Sequence, residues 1–126
     1  DVTGRLSTQA IGIDLLSFFH DRLKVYLKEQ GRRCVNGCLI LNWQLQPAGS
    51  PARVAFITPK KIGPAVVRNR ARRRLHESFR LHQNDLNAPV EMVLVARPSI
   101  AGKDFAVVER DFLAALRNAR LLKNSL

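Results

Sequence analysis

The chain has 126 residues, 46% of them hydrophobic, the size and composition of one globular domain able to bury a core rather than of a disordered tail. Lys and Arg number 21 against 10 Asp and Glu, a net charge of +11, so a partner of opposite sign is expected: nucleic acid or an anionic membrane surface. No apolar run approaches the roughly 18 residues of a membrane span, and the opening DVTGRLSTQAIGIDLLSFF lacks the basic start and small-residue cleavage site of a secretory signal.

Residues 1–12 read as an irregular N-terminal segment. From 13 to 30 the spacing of Leu15, Leu16, Phe19, Leu23, Tyr26 and Leu27 predicts a helix, with Asp14 as a cap and Gly31 as a stop. In 34–45, Leu39, Leu41, Trp43 and Leu45 alternate with smaller or polar residues, which predicts one strand with Gly37 as a bulge and Trp43 in the core. On such a strand Cys34 and Cys38 stand on one face about 13 Å apart, beyond the roughly 7 Å between Cα atoms that a disulfide spans. A zinc pair favours C-x-x-C spacing and two further ligands, and none is near. Both cysteines therefore read as buried or half-buried thiols of a reducing compartment.

QPAGSPA is a turn, and RVAFITP a second strand that Pro59 ends. Pro64 suits the first turn of a helix running to about Gln83, which NDLNAP breaks. VEMVLVAR, almost wholly apolar, predicts a strand covered on both faces. After a loop, Asp104 caps a last helix carrying Phe105, Val108, Phe112, Leu113, Leu116 and Leu121. With no repeat and no long linker, residues 1–126 read as a single α/β domain.

The helix after Pro64 carries the sharpest signal. Val67, Ala71, Leu75, Ser78, Phe79 and His82 form one stripe for packing, while Asn69, Arg70, Arg73 and Arg80 fall on the opposite side. Arg68, Arg72 and Arg74 flank the stripe, where their stems can lie along apolar surface. Five arginines thus occupy positions 68–74 with no acid among them, and the nearest, Glu77, can pair with Arg73 or Arg74 but not with all. Like charges four apart cost a few tenths of a kcal/mol, about 0.2–0.5 each. A merely solvated face is better made of lysine and glutamate. Guanidinium forks without acids match phosphate oxygens and stack on bases. Lys60 and Lys61 extend the charge, and Gly63 lets a phosphate approach the backbone near the helix N-terminus.

Catalysis by the protein finds little support. His20, His76 and His82 are scattered, with no paired carboxylates, H-x-x-x-H box or G-x-S-x-G elbow, and Asp104 and Glu109 read as a cap and a solvated residue. His82 reads as a core-edge histidine. A structural RNA-binding protein of ribosomal type fits the charge and size equally well. Helix-turn-helix DNA binding fits worse, because no short helix precedes the basic one.

The block KKIGPAVVRNRARRRLHESFR resembles the signature of the protein subunit of bacterial ribonuclease P, with its lysine pair, glycine, Arg-Asn-Arg triplet, further basic residues and an acid before an aromatic. GRRCVNGCLIL, VEMVLVARPSI and DFAVVERDFLAALRNARLL are similar to that family's strands and last helix. The resemblance implies a two-layer α/β sandwich: a mixed, mostly antiparallel sheet of about four strands with helices, including a left-handed β-α-β crossover. It implies a protein without an active site of its own, cytoplasmic and monomeric within its complex. A catalytic RNA using magnesium, carried mainly by the RNA, removes the 5′ leader of precursor tRNA, and the protein contacts both RNAs. The RNA-facing set implied is Lys60, Lys61, Arg68, Asn69, Arg70, Arg72, Arg73 and Arg74. A leader cleft between the first helix and the sheet would be lined by Phe19, Tyr26, Cys38, Phe56 and Thr58.

Overall fold

The computed structural model describes residues 32–50 and 53–123. The helix expected over 13–30, with Phe19 and Tyr26, and the irregular segment 1–12 lie outside the described residues. Four strands form one sheet: β1 Arg32–Asn36, β2 Leu39–Leu45, β3 Arg53–Ile57 and β4 Val90–Ala96. Two helices follow β3 and β4: α1 Ala65–His82 and α2 Phe105–Asn118. The spatial order is β1-β2-β4-β3, antiparallel at the first two pairings and parallel between β3 and β4. The mixed, mostly antiparallel sheet with helices matches the expectation.

Both helices lie on one face of the sheet, α1 against β3 and β4, α2 against β1 and β2, and they touch each other. That face supplies the core. Leu39 and Leu41 of β2, Val54 of β3, and Met92 and Leu94 of β4 meet Leu75 and Phe79 of α1 and Phe112 and Leu116 of α2. Each such side chain removed from water contributes on the order of 1.5–3 kcal/mol. As its unbroken apolar run foretold, β4 is buried on both faces: Val93 packs with Ala55 in a smaller cluster on the far side.

The segment read as one strand over 34–45 is a hairpin. Asn36 pairs with Leu39, and Gly37 and Cys38 form the two-residue turn between β1 and β2. Gly37 has φ 55°, as the first central position of a tight hairpin turn requires. The 13 Å separation of the cysteines therefore does not apply, since Cys34 lies on β1 opposite Leu41 while Cys38 sits in the turn; both are free thiols. The turn is pinned from α2. The Asp111 carboxylate, 7% exposed, accepts the Cys38 backbone N–H at 3.0 Å. A Cβ on Gly37 would stand 2.1 Å from Asp111 Oδ2, so this glycine answers both to its dihedral and to a close approach.

Burial raises the Asp111 pKa, but the Cys38 N–H, the Cys38 thiol and Arg110 together outweigh it, and the carboxyl stays below its usual range. Conversely, burial first and then the bond to Asp111 and its charge push the Cys38 thiol up to about 12.

The last helix ends at Asn118, short of Leu121. Arg120 takes a left-handed φ of 60°, and the N–H groups of Arg120 and Leu121 return to Arg117 O and Leu116 O. This reversal buries Leu121 and lets Leu122 bridge to Leu86.

Gly37→Ala should destabilise the protein far more in the wild-type background than beside Asp111→Ala, where only the left-handed backbone cost of about 1–2 kcal/mol remains. Urea denaturation of the four-member cycle measures the difference. Arg120→Gly should raise stability by about 1 kcal/mol, read as an upward shift of the urea midpoint, because glycine relieves the left-handed strain.

Candidate RNA interface

Strand β3 delivers the chain to one end of the sheet, where Thr58 and Pro59 lead into a 3-10 turn, Lys60–Ile62. Ile62 is buried and anchors this turn, leaving Lys60 and Lys61 exposed. Gly63, at φ 147°, closes this turn, and Pro64 takes the N-cap position of α1, one residue before the first turn where sequence reasoning put it. No side chain caps α1 and no acid lies in its first turn, so among the described residues no acid on the helix itself answers the positive end of its dipole beside the two lysines.

Ala71, Leu75, Ser78 and Phe79 are the buried stripe of α1, as the wheel predicts, and the Ser78 hydroxyl donates to Arg74 O at 2.9 Å. Asn69, Arg70 and Arg73 are exposed, while Arg68, Arg72 and Arg74 are half-buried. Arg68 Nε donates to Gly63 O at 3.2 Å, which ties the helix to its own entry turn. Arg72 reaches back to the sheet: Nη2 donates to Thr58 Oγ1 at 2.8 Å and Nη1 to Asn69 Oδ1 at 3.2 Å, while its Nε is buried without a partner. Glu77 pairs with neither Arg73 nor Arg74. It takes Arg80, whose Nε donates to Oε1 at 2.9 Å, an arrangement with the acid N-terminal to the base that suits the helix dipole. That bond holds the Glu77 carboxyl below its usual range. Among the described residues none of the five arginines of 68–74, and neither lysine, has an acidic partner.

The other expected positions are placed differently. Phe56 lies under α1, 6% exposed, its ring edge-to-face with His76 at 5.6 Å and with Phe79 at 6.5 Å. Thr58, 8% exposed, is committed to Arg72, and Cys38, 2% exposed, to Asp111. All three side chains are buried on the side of α1 and α2; the first helix, the other wall of the expected cleft, lies outside the described residues. Trp43 is in the core as read, with the Arg32 guanidinium 5.8 Å from its ring centroid, a cation over an aromatic face.

At the far end of α1, His82 holds two carboxylates: Nε2 lies 2.8 Å from Glu109 of α2 and Nδ1 3.2 Å from Asp85. Glu109 is therefore a partner of the histidine rather than a merely solvated residue. The ring can donate to both carboxylates only as imidazolium. Burial lowers the His82 pKa, but the two carboxylates outweigh it and the net shift is upward.

A sequence model of the ribonuclease P family matches residues 21–120. The chain belongs to the ribonuclease P protein family. It is similar to the ribonuclease P protein component of Syntrophomonas wolfei, 37% identical over 93 residues, covering 74% of this chain and 77% of that one. It is also similar to that of Gluconacetobacter diazotrophicus, 39% identical over 92 residues, covering 71% and 78%. The fold is that of a Staphylococcus aureus RNase P protein, a mutant with defective mRNA degradation activity, at a TM-score of 0.74 and 18% identity over 81% of this chain and 86% of that one. The arginines of α1 thus stand on a ribonuclease P protein fold. Sequence reasoning overlooked cations that come from separate segments, Arg97, Lys103 and Arg110, because no run of neighbours announces them.

A histidine whose pKa is raised on folding contributes stability that is full below its unfolded pKa near 6.5 and lost as pH rises through its folded value. Urea denaturation across pH 5–9 should show wild type losing about 1 kcal/mol relative to His82→Gln over the upper part of that range.

Proposed function

We propose that this protein is the RNA-binding subunit of a ribonuclease P ribonucleoprotein, which removes the 5′ leader of precursor tRNA. Five arginines on one helix, with no acid to answer them among the described residues, carry this reading. Their counter-charge is the phosphate backbone of the catalytic RNA. Arg70 and Arg73, both exposed, meet phosphates directly, and Asn69 offers its amide beside Arg73 on the same side of the helix. Arg68 and Arg72 spend part of their donors on Gly63, Asn69 and Thr58 and so hold the helix in place while adding to its field. Neutralising phosphates releases counterions, and affinity falls steeply with salt.

The chemistry of cleavage is assigned to the RNA and its magnesium. His82, the histidine best placed beside carboxylates, has both ring nitrogens engaged by Asp85 and Glu109, which supports that assignment. By lowering repulsion between two RNAs, the protein lets cleavage proceed at lower magnesium. The leader is assigned to the sheet face away from α1 and α2, where Asn42 and Ile57 are half-buried and Arg33 and Arg53 stand exposed. Cys38, Phe56 and Thr58 support that face from within. No helix among the described residues is long and apolar enough to cross a membrane.

Arg70→Ala with Arg73→Ala should leave the fold intact, since both side chains point away from the core. The pair should reduce the slope of log K against log salt for the catalytic RNA by about two units. Cleavage of a precursor tRNA by a bacterial ribonuclease P RNA at low magnesium should be restored by wild type and not by the double variant. Tight, salt-sensitive binding to the matching RNA without any stimulation of cleavage would replace this reading with a purely structural RNA-binding role.

A further inference from the structure

The helix α1 does not exhaust the basic surface. At the end of the sheet where β3 and β4 both finish, three turns come together. The 3-10 turn Lys60–Ile62 packs beside a second one, Pro98–Ile100, which follows β4. Leu39 pairs with Ala96, so the β1–β2 turn lies at this same end. Arg97 locks onto that turn: its N–H donates to Cys38 O and its Nη1 to Gly37 O, each at 2.9 Å. Arg110 of α2 arrives from the other side, bound to the Asp111 that holds Cys38.

Lys60, Lys61, Arg97, Lys103 and Arg110 are all exposed, and Arg68 joins them through Gly63. The acids of these same segments are already committed: Asp104 caps α2 by accepting Val107 N–H, and Asp111 is buried against Cys38 and Arg110. Lys103 has no side-chain partner among the described residues. From β3 to β1 the row spans three strand spacings, about 14 Å, wide enough to meet more than one backbone phosphate.

We infer that this row is a second phosphate-contacting surface for the catalytic RNA, continuous with the arginines of α1; it rests on the RNA-binding reading above. Its side chains suit a structured backbone rather than the leader. The row offers lysines and guanidinium groups but no exposed aromatic ring on which the bases of a single strand would stack. The β1–β2 turn and the start of α2 then belong to the RNA interface, although neither carries a run of basic residues.

The test compares two charge-matched pairs on catalytic RNA alone, without precursor tRNA. Lys103→Ala/Arg110→Gln removes two charges from the row, and Arg117→Gln/Lys123→Ala removes two from the last turn of α2 and the segment that follows it. The first pair should weaken binding about tenfold and lower the salt slope by one to two units, and the second should change neither appreciably. Because Arg110 touches Asp111, Lys103→Ala alone is measured as well and should lower the slope by about one unit. Acetylation of the wild-type complex should find Lys103 protected together with Lys60 and Lys61 while Lys123 stays reactive. Equal losses from the two pairs, a Lys103 as reactive as Lys123, or a defect seen only with precursor tRNA would each overturn the inference. Arg70→Ala/Arg73→Ala, run alongside, separates the two levels. If it too leaves binding unchanged, the RNA-binding reading fails as a whole; if it weakens binding and the row does not, only the row is wrong.

Discussion

The parallel pairing of β3 with β4 is the constraint from which the rest follows. Two adjacent parallel strands cannot be joined by a tight turn, so the chain must leave the end of β3, cross the sheet and re-enter β4 at its start. That crossover is α1. Its inner stripe is obliged to cover β3 and β4, which settles which of its residues are apolar, and its outer side is left free for charge. The same pairing gathers at one end of the sheet everything that follows β3 and β4: the lysine turn, the helix N-terminus, Arg97 and the entry to α2.

This division lets a surface of like charges sit on a stable core. The arginines repel one another, but each such pair costs only about 0.2–0.5 kcal/mol, well below what the burial of one Leu75 or Phe79 beneath them contributes. The half-buried Arg68 and Arg72 lessen the strain further by spending donors on backbone and side-chain oxygens of the protein. Arg72 shows the limit of this compromise: its Nε is shut from water without a partner, at a cost set by the stems and by Thr58, which hold it there.

Helix α1 was legible in the sequence because its stripe repeats at 3.6 residues over five turns, long enough that the outer positions are known once the inner ones are. Strands β3 and β4 were legible on other grounds, as apolar runs bounded by turn residues and prolines, β4's run being too continuous for a one-sided strand. The hairpin was not. Cys34, Cys38 and Leu39 keep an apolar rhythm through the turn, and the Asn36-Gly37 step could equally mark a bulge; the decision is made by Asp111, 73 residues beyond Cys38. The end of α2 was missed because the reversal rests on a left-handed arginine where glycine would have announced it. The resemblance gave Phe56 and Thr58 to a cleft, and which way such residues face is told only by packing, which here turns both toward α1. On a strand, one residue separates a cleft wall from a core position.

The approach of Gly37 to Asp111 also bears on how this chain can change over generations. A side chain at 37 collides with a carboxylate that can withdraw only by giving up its bond to the turn it supports. Drift at 37 is therefore closed while 111 keeps its acid, whereas drift at 111 is open, though costly, while 37 stays glycine. The route between the two is one-way. Two positions far apart in the chain inherit as a pair, and their history should carry an order that neither position would show alone.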